Sequence, residues 1–190
     1  VTGFMGPVEF LGQLDKLRSM ELRRLSAFHP EHRGWLEEVV MAAPAYSWLT
    51  ESKGPAPADA EEILKVCPPG MGQEDKFVLA VLEGEELLGC VDLIRGYPTP
   101  DTAYLGLLLL KECRQGRGIG SQVVLRLMEM AANWGCTNMR LGVIETNLPA
   151  LHFWTKHGFQ QVDRKQIAGF SGDTLIMTCI VRRPLTSDLP

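Results

Sequence analysis

Residues 107–120 read LLLLKECRQGRGIG, and the chemistry is concentrated in the last six of them, Gln115, Gly116, Arg117, Gly118, Ile119 and Gly120. Glycine has no Cβ, so a backbone turn built from Gly116, Gly118 and Gly120 can curl tightly and bring its N–H groups against an anion. Arg114 and Arg117 add full positive charges beside it, and the Ser121 hydroxyl follows directly. The leucines before the turn form an apolar run that reads as a buried strand. From Ile119 onward apolar residues recur at Val123, Val124, Leu127, Met128 and Ala131, which is helical spacing. The glycines therefore occupy a strand-to-helix turn, where the helix start adds its own partial positive charge. That combination is a cradle for a phosphate. The spacing Gln115-x-x-Gly118-x-Gly120 is not the G-x-G-x-x-G of dinucleotide sites, and it lacks the Lys-Ser/Thr pair of a P-loop. NAD and nucleoside triphosphates are disfavoured as ligands.

Two carboxylates are candidates for acid–base work. Asp92 interrupts the apolar segment Cys90-Val91-Asp92-Leu93-Ile94, and strand alternation puts it on the face opposite Val91 and Leu93. An acid on a sheet face beside a cleft has a raised pKa when desolvated; the competing reading is a solvent-facing or Arg95-paired carboxylate. Glu145 ends the strand predicted at 139–144, two residues before Asn147, with a solvated strand end as the competing reading. Glu112 and the run Glu83, Glu85, Glu86 read as solvated turns. Of the four histidines, His29, His32, His152 and His157, none has metal-ligand spacing with a matching carboxylate or thiol, so no metal site is expected. Cys113 adjoins Arg114 and reads as a loop or packing residue.

The glycine turn resembles the acyl-CoA signature of the GCN5-related N-acetyltransferases (the GNAT family), which is Gln/Arg-x-x-Gly-x-Gly/Ala between a strand and a helix. A second segment, Asn147, Ala150, Trp154 and Gly158-Phe159, resembles the family's later pattern of Asn, Ala, an aromatic and Gly-Phe. The resemblance covers about residues 76–159. It implies direct transfer of an acetyl group from acetyl-CoA to an acceptor amine, a small molecule or a peptide amine. It implies further that Gln115, Gly116, Arg117, Gly118, Ile119, Gly120 and Ser121 hold the pyrophosphate. Asn147 would hydrogen-bond the pantetheine arm, and Ala150 would let that arm pass. Lys156 would reach a phosphate, against the reading of a solvent-facing helix lysine. The thioester oxyanion needs a donor, and the family's position for a backbone N–H donor falls on Leu110, with Leu108 two residues earlier. The family's usual acid is a tyrosine where this chain has Trp154. An indole N–H donates a hydrogen bond but does not give up its proton, so Trp154 is either a catalytic-site aromatic or a core residue. Tyr97 and Tyr104 are alternatives for the acid, and Phe153 reads as core on the other side of its helix.

These residues need a scaffold, and the remaining patterning supplies one. Residues 20–25 read as a strand, 29–41 and 59–66 as helices separated by a Pro-rich loop, and 77–82 and 87–94 as an antiparallel hairpin. A strand at 103–110, the helix after the glycine turn, a strand at 139–144, a helix at 150–157 and two strands at 159–167 and 174–181 follow. The expected fold class is α/β, a mixed and mostly antiparallel sheet with helices on both faces. In the resembled family the strands before and after the glycine-turn helix, here 104–110 and 139–144, lie parallel and splay apart to form the acyl-CoA cleft. A chain of 190 residues is expected to form one domain, 1–190, with acceptor-side helices and loops at 20–75, the acyl-CoA core at 76–159 and a C-terminal hairpin at 160–190. A net charge of −4 and a pI near 5.6 argue against a nucleic-acid partner. Five cysteines without a C-x-x-C pair suggest free thiols and a cytoplasmic location. No apolar stretch reaches the ~20 residues of a bilayer span, so no membrane partner is expected. Val1 is not an initiator, Met5 is a candidate start, and no leader is expected at the N-terminus. The resemblance leaves room for a homodimer through the final hairpin. Two other readings stay open: an acyl-CoA-binding sensor or scaffold without turnover, and an interaction module whose RQGRG turn binds an anionic partner surface.

Overall fold

A computed structural model describes residues 20–182; the candidate start Met5 and the end of the predicted C-terminal segment lie outside them. The elements are, in order, β1 (Met20–Arg24), α1 (Pro30–Met41), α2 (Pro44–Glu51), α3 (Pro57–Lys65), β2 (Lys76–Glu83), β3 (Glu86–Arg95), β4 (Thr102–Leu110), a 3-10 turn (Glu112–Arg114), α4 (Ile119–Asn133), β5 (Asn138–Ile144), α5 (Leu148–Lys156), β6 (Gln160–Lys165) and β7 (Thr174–Ile180). Helices α1, α2 and α3 each open on a proline in the first turn, where its fixed φ suits the helix and its missing N–H costs no bond. Helix α2 occupies part of what the sequence presents as loop. Its buried residues are Ser47 and Thr50, so its inward face is polar and carries no apolar periodicity to reveal it.

The seven strands form one sheet in the order β1-β2-β3-β4-β5-β7-β6. All neighbours are antiparallel except β4 and β5. That one parallel pair runs only from Thr102 opposite Asn138 to Leu105 opposite Leu141. Beyond it β4 continues to Leu110 along β3, and β5 continues to Ile144 along β7, so the two strands part and leave a wedge in the middle of the sheet. Opposite Asp92 and Leu93 stand Leu107 and Leu105; Gly106 is thus the extra residue of a bulge at the point where the wedge opens, a place where bulges commonly re-aim a strand.

Alternation along the strands divides the core in two. On one face Leu79, Val91, Leu93, Leu105, Met139 and Leu141 pack with Val123 and Leu127 of α4 and Trp154 of α5. On the other, Val78, Ala80, Cys90 and Leu109 pack with Leu36 and Val39 of α1 and Ala60 and Leu64 of α3. Each fully buried Leu or Val contributes about 1.5–3 kcal/mol, and these two layers clamp both walls of the wedge.

Candidate active site

The glycine turn has the geometry its sequence requires. Gly116 and Gly118 have φ of 71° and 79°, in the left-handed region where a side chain costs about 1–2 kcal/mol. Gly118 is the N-cap of α4 and supplies no side-chain cap, so the first N–H groups of the helix point outward without an internal partner. Gln115 does not face solvent alone: its Nε2 donates to the Leu110 carbonyl at 2.9 Å and ties the turn to the end of β4. Arg114 is engaged by Glu86, whereas Arg117 is exposed. A Cβ at Gly120 would stand 3.2 Å from Phe153 Cζ and 3.9 Å from Leu110 Cδ1, so the turn, β4 and α5 meet closely there.

The wedge below the turn is lined by backbone donors. The Lys111 N–H bonds the Leu88 carbonyl at 3.0 Å, and in an antiparallel pair successive N–H groups point to opposite sides. Those of Leu108 and Leu110 therefore turn away from β3 toward the gap that β5 has left. Across the gap, Asn147 caps α5 by accepting the Ala150 N–H on Oδ1 at 3.1 Å, which leaves its Nδ2 to donate elsewhere.

The face of the sheet under α1, α2 and α3 carries ionisable groups. Lys76 Nζ donates to Asp92 Oδ2 at 2.7 Å, with the lysine side chain 1% and the aspartate side chain 17% exposed. Asp92 Oδ1 is buried and has no hydrogen-bond partner, and Oδ2 lies 3.0 Å from where a Cβ of Gly106 would be. Burial pushes the Asp92 carboxyl above its ordinary range, with Lys76 pulling the other way by charge and hydrogen bonding. Tyr104 is raised mainly by burial and meets Tyr97 edge-on at 5.5 Å; burial pushes Tyr46 on α2 to about 12. The loop between β6 and β7 crosses to α2, where the Ser171 N–H bonds Thr50 O at 2.7 Å and Ser171 Oγ bonds Leu49 O at 2.6 Å. At its base Arg164 Nη2 contacts Glu145 Oε2 at 2.6 Å and Nε contacts Asp173 Oδ2 at 2.5 Å. The phosphate-type turn thus stands at the mouth of the wedge, and the acid–base groups lie on the face of the sheet that carries α1 and α3.

Residues 42–159 match the Acetyltransferase (GNAT) family. The chain belongs to the GNAT acetyltransferase family. Over 75 residues it is 36% identical to an uncharacterized N-acetyltransferase of Bacillus subtilis (strain 168), YobR, a match that spans 40% of this chain and 28% of that relative's length. An acetyltransferase from Thermus thermophilus superposes with a TM-score of 0.69 at 25% identity, over 85% of this chain and 97% of the other. A GNAT acetyltransferase from Elizabethkingia anophelis, whose crystal structure has acetyl-CoA bound, shares the fold with a TM-score of 0.59 at 15% identity, over 85% and 98% of the two chains.

Within this GNAT fold the expected cofactor residues, Gln115, Gly116, Arg117, Gly118, Ile119, Gly120 and Ser121, all lie at the open end of α4, and Leu108, Leu110, Asn147 and Ala150 line or border the wedge. Lys156 is exposed in the last turn of α5, where a cation complements the helix dipole. Trp154 is 8% exposed and stacks edge-on with Phe153 at 4.8 Å and Phe159 at 5.2 Å. Phe153, expected in the core, packs partly buried against the α4 face of the core, and its ring edge also lies beside Gly120 at the turn. The partner of Asp92 is Lys76 rather than Arg95, which pairs with Asp75. Sequence reasoning did not single out Lys76, Gly106 or Ser171. A lysine opening an apolar strand and a glycine interrupting a run of leucines were the available signals for the first two; Ser171 has none, since its partner helix α2 was itself unreadable.

Proposed function

We propose that this chain is an acyl-CoA-dependent N-acetyltransferase that passes an acetyl group directly to an acceptor amine. The observation that carries the proposal is the open, glycine-built N-terminus of α4 set at the mouth of the β4–β5 wedge. Acetyl-CoA, when bound, supplies a thioester carbonyl for the amine to attack and a thiolate to leave. Gly116, Gly118 and the free N–H groups of α4 fit a pyrophosphate, and Arg117 adds charge. The N–H groups of Leu108 and Leu110 hold the acyl arm and polarise its carbonyl. Asp92 takes the proton of the amine: its desolvated carboxylate is a better base than one in water, and Lys76 keeps a counter-charge beside it. Glu145, the second candidate base, is committed to Arg164. Trp154 packs the wall behind the arm and transfers no proton, which a thiol with an ordinary pKa near 8.5 tolerates in its leaving group.

Five free thiols among the described residues support a reducing location such as the cytoplasm. The fully exposed edge strand β6 supports a homodimer. The net charge of −4 weighs against a nucleic-acid partner, and no described helix is long and apolar enough to cross a membrane. The test is CoA release from acetyl-CoA over a panel of amines, for the native chain and Gly118→Trp. Nothing lies within 4 Å of a Cβ at Gly118, so the indole meets no core residue at its root, and the left-handed φ of 79° adds strain to the turn itself. Amine-dependent release that Gly118→Trp abolishes is expected. Tight acetyl-CoA binding with no release by any amine would instead favour a sensor without turnover.

A further inference from the structure

On the face of the sheet that carries α1 and α3, Arg140 stands half-buried in the middle of β5. Its neighbour across β4 is Tyr104 and its neighbour across β7 is Thr178. Along its own strand the residues sharing its face are Asn138 and Gly142, both neutral. Among the described residues no carboxylate forms an ion pair with it, although every other arginine on the sheet strands, at 23, 24, 95 and 164, has a carboxylate, carbonyl or ring partner. A guanidinium always carries its charge, and leaving one half-buried without an anion forfeits the two parallel hydrogen bonds it makes best.

Gly142 lets Thr174 and the Tyr104 hydroxyl approach the strand closely on the same face. Gly142 has no side chain, and a Cβ there would stand 3.6 Å from the Tyr104 hydroxyl and 2.8 Å from Thr174 Cγ2. Thr174 Oγ1 is buried without a hydrogen-bond partner. Arg140 and the Tyr104 ring sit at the closed end of the β4–β5 wedge, whereas Asp92 lies against Gly106, where the wedge begins to open. One face of the sheet thus presents opposite charges on either side of β4: Asp92 on β3 and the unpartnered Arg140 on β5.

Resting on the acetyltransferase reading above, we propose that the acceptor is an amine that also carries a carboxylate, an amino acid or a molecule of that type, and that Arg140 binds the carboxylate. Tyr104, on β4, stands between the strands that carry the two charges. A polyamine, which carries only positive charge, would bring a cation onto Arg140 and is disfavoured.

The test separates this inference from the activity itself. Calorimetry on the native chain saturated with CoA, titrated with free amino acids and with the same compounds as carboxamides, reads binding without turnover. Binding of at least one free amino acid is expected, with its carboxamide roughly 10- to 100-fold weaker, the range for losing a charge-assisted bidentate pair. Arg140→Met, which keeps much of the apolar stem and removes the charge, should remove that preference, and Arg140→Lys should recover part of it. Thermal midpoints near that of the native chain show that the variants fold. Equal binding of acids and carboxamides, binding of amines without a carboxylate only, or unchanged preference in Arg140→Met would each overturn the inference, even where amine-dependent CoA release succeeds. Selective carboxylate binding lost in Arg140→Met would support it even where no release is seen.

Discussion

Replacing Lys76 with Met tests the charge arrangement beneath the bulge. The substitution keeps the aliphatic stem, which is buried, and removes only the cation 2.7 Å from Asp92 Oδ2. Asp92 then faces two outcomes. It can stay ionised without a partner, or it can take up a proton. Holding a carboxyl neutral against an ordinary pKa near 3.9 costs about 1.36 kcal/mol for each pH unit above that value, so protonation caps the penalty at about 4 kcal/mol at pH 7 and about 1.5 kcal/mol at pH 5. The upper figure matches the ~3–5 kcal/mol typical of breaking a buried pair by removing one partner. The sign follows from linkage: between the unfolded and native pKa values the native state binds one more proton, so stability falls as pH rises through that window. Urea unfolding at pH 5 and pH 7, with the native chain as reference at each pH, should therefore show the destabilisation growing by about 2.5 kcal/mol between the two. A loss under about 1 kcal/mol at pH 7, or the same loss at both values, would mean that water enters through the partly open side of Asp92 and solvates it, and the reasoning fails.

The same raised carboxyl governs turnover. With an acceptor whose amine is already neutral, kcat/KM should fall as the pH drops through an acid limb above the ordinary aspartate range; Lys76→Met should move that limb higher, and Asp92→Asn should remove it while costing roughly 10²–10⁴ in rate. A limb unchanged in Asp92→Asn would transfer the base role elsewhere. Trp154→Phe tests the aromatic that stands in place of the family's tyrosine: as a buried wall residue it should cost about 1–3 kcal/mol of stability and leave kcat within about threefold at 25 °C, because no proton passes through it. A hundredfold loss of kcat in a folded variant would contradict that assignment.

The parts of this molecule legible in its sequence are those with a strong local cause. Positive φ at Gly116 and Gly118 demands glycine, and helix α4 repeats its apolar face over about four turns, so the turn and its helix were readable together. Strand alternation placed Asp92 opposite Val91 and Leu93 correctly. What escaped depends on contacts distant in sequence. Helix α2 buries Ser47 and Thr50, and its end is held by Ser171 from a loop more than a hundred residues later. The Lys76–Asp92 pair needs the exact register of β2 on β3, and the bulge at Gly106 reveals itself only when β4 is counted against β3.

The most direct test of the account follows the acetyl group itself. Acetyl-CoA labelled with ¹³C in the acetyl carbons is incubated with an acceptor and the native chain, and the amine product is weighed by mass spectrometry while free CoA thiol is counted. One labelled acetyl on the amine nitrogen for each thiol released, with both lost in Gly118→Trp, is the predicted result. Thiol release without an acetylated amine, or labelled product formed as fast by Gly118→Trp, would contradict it.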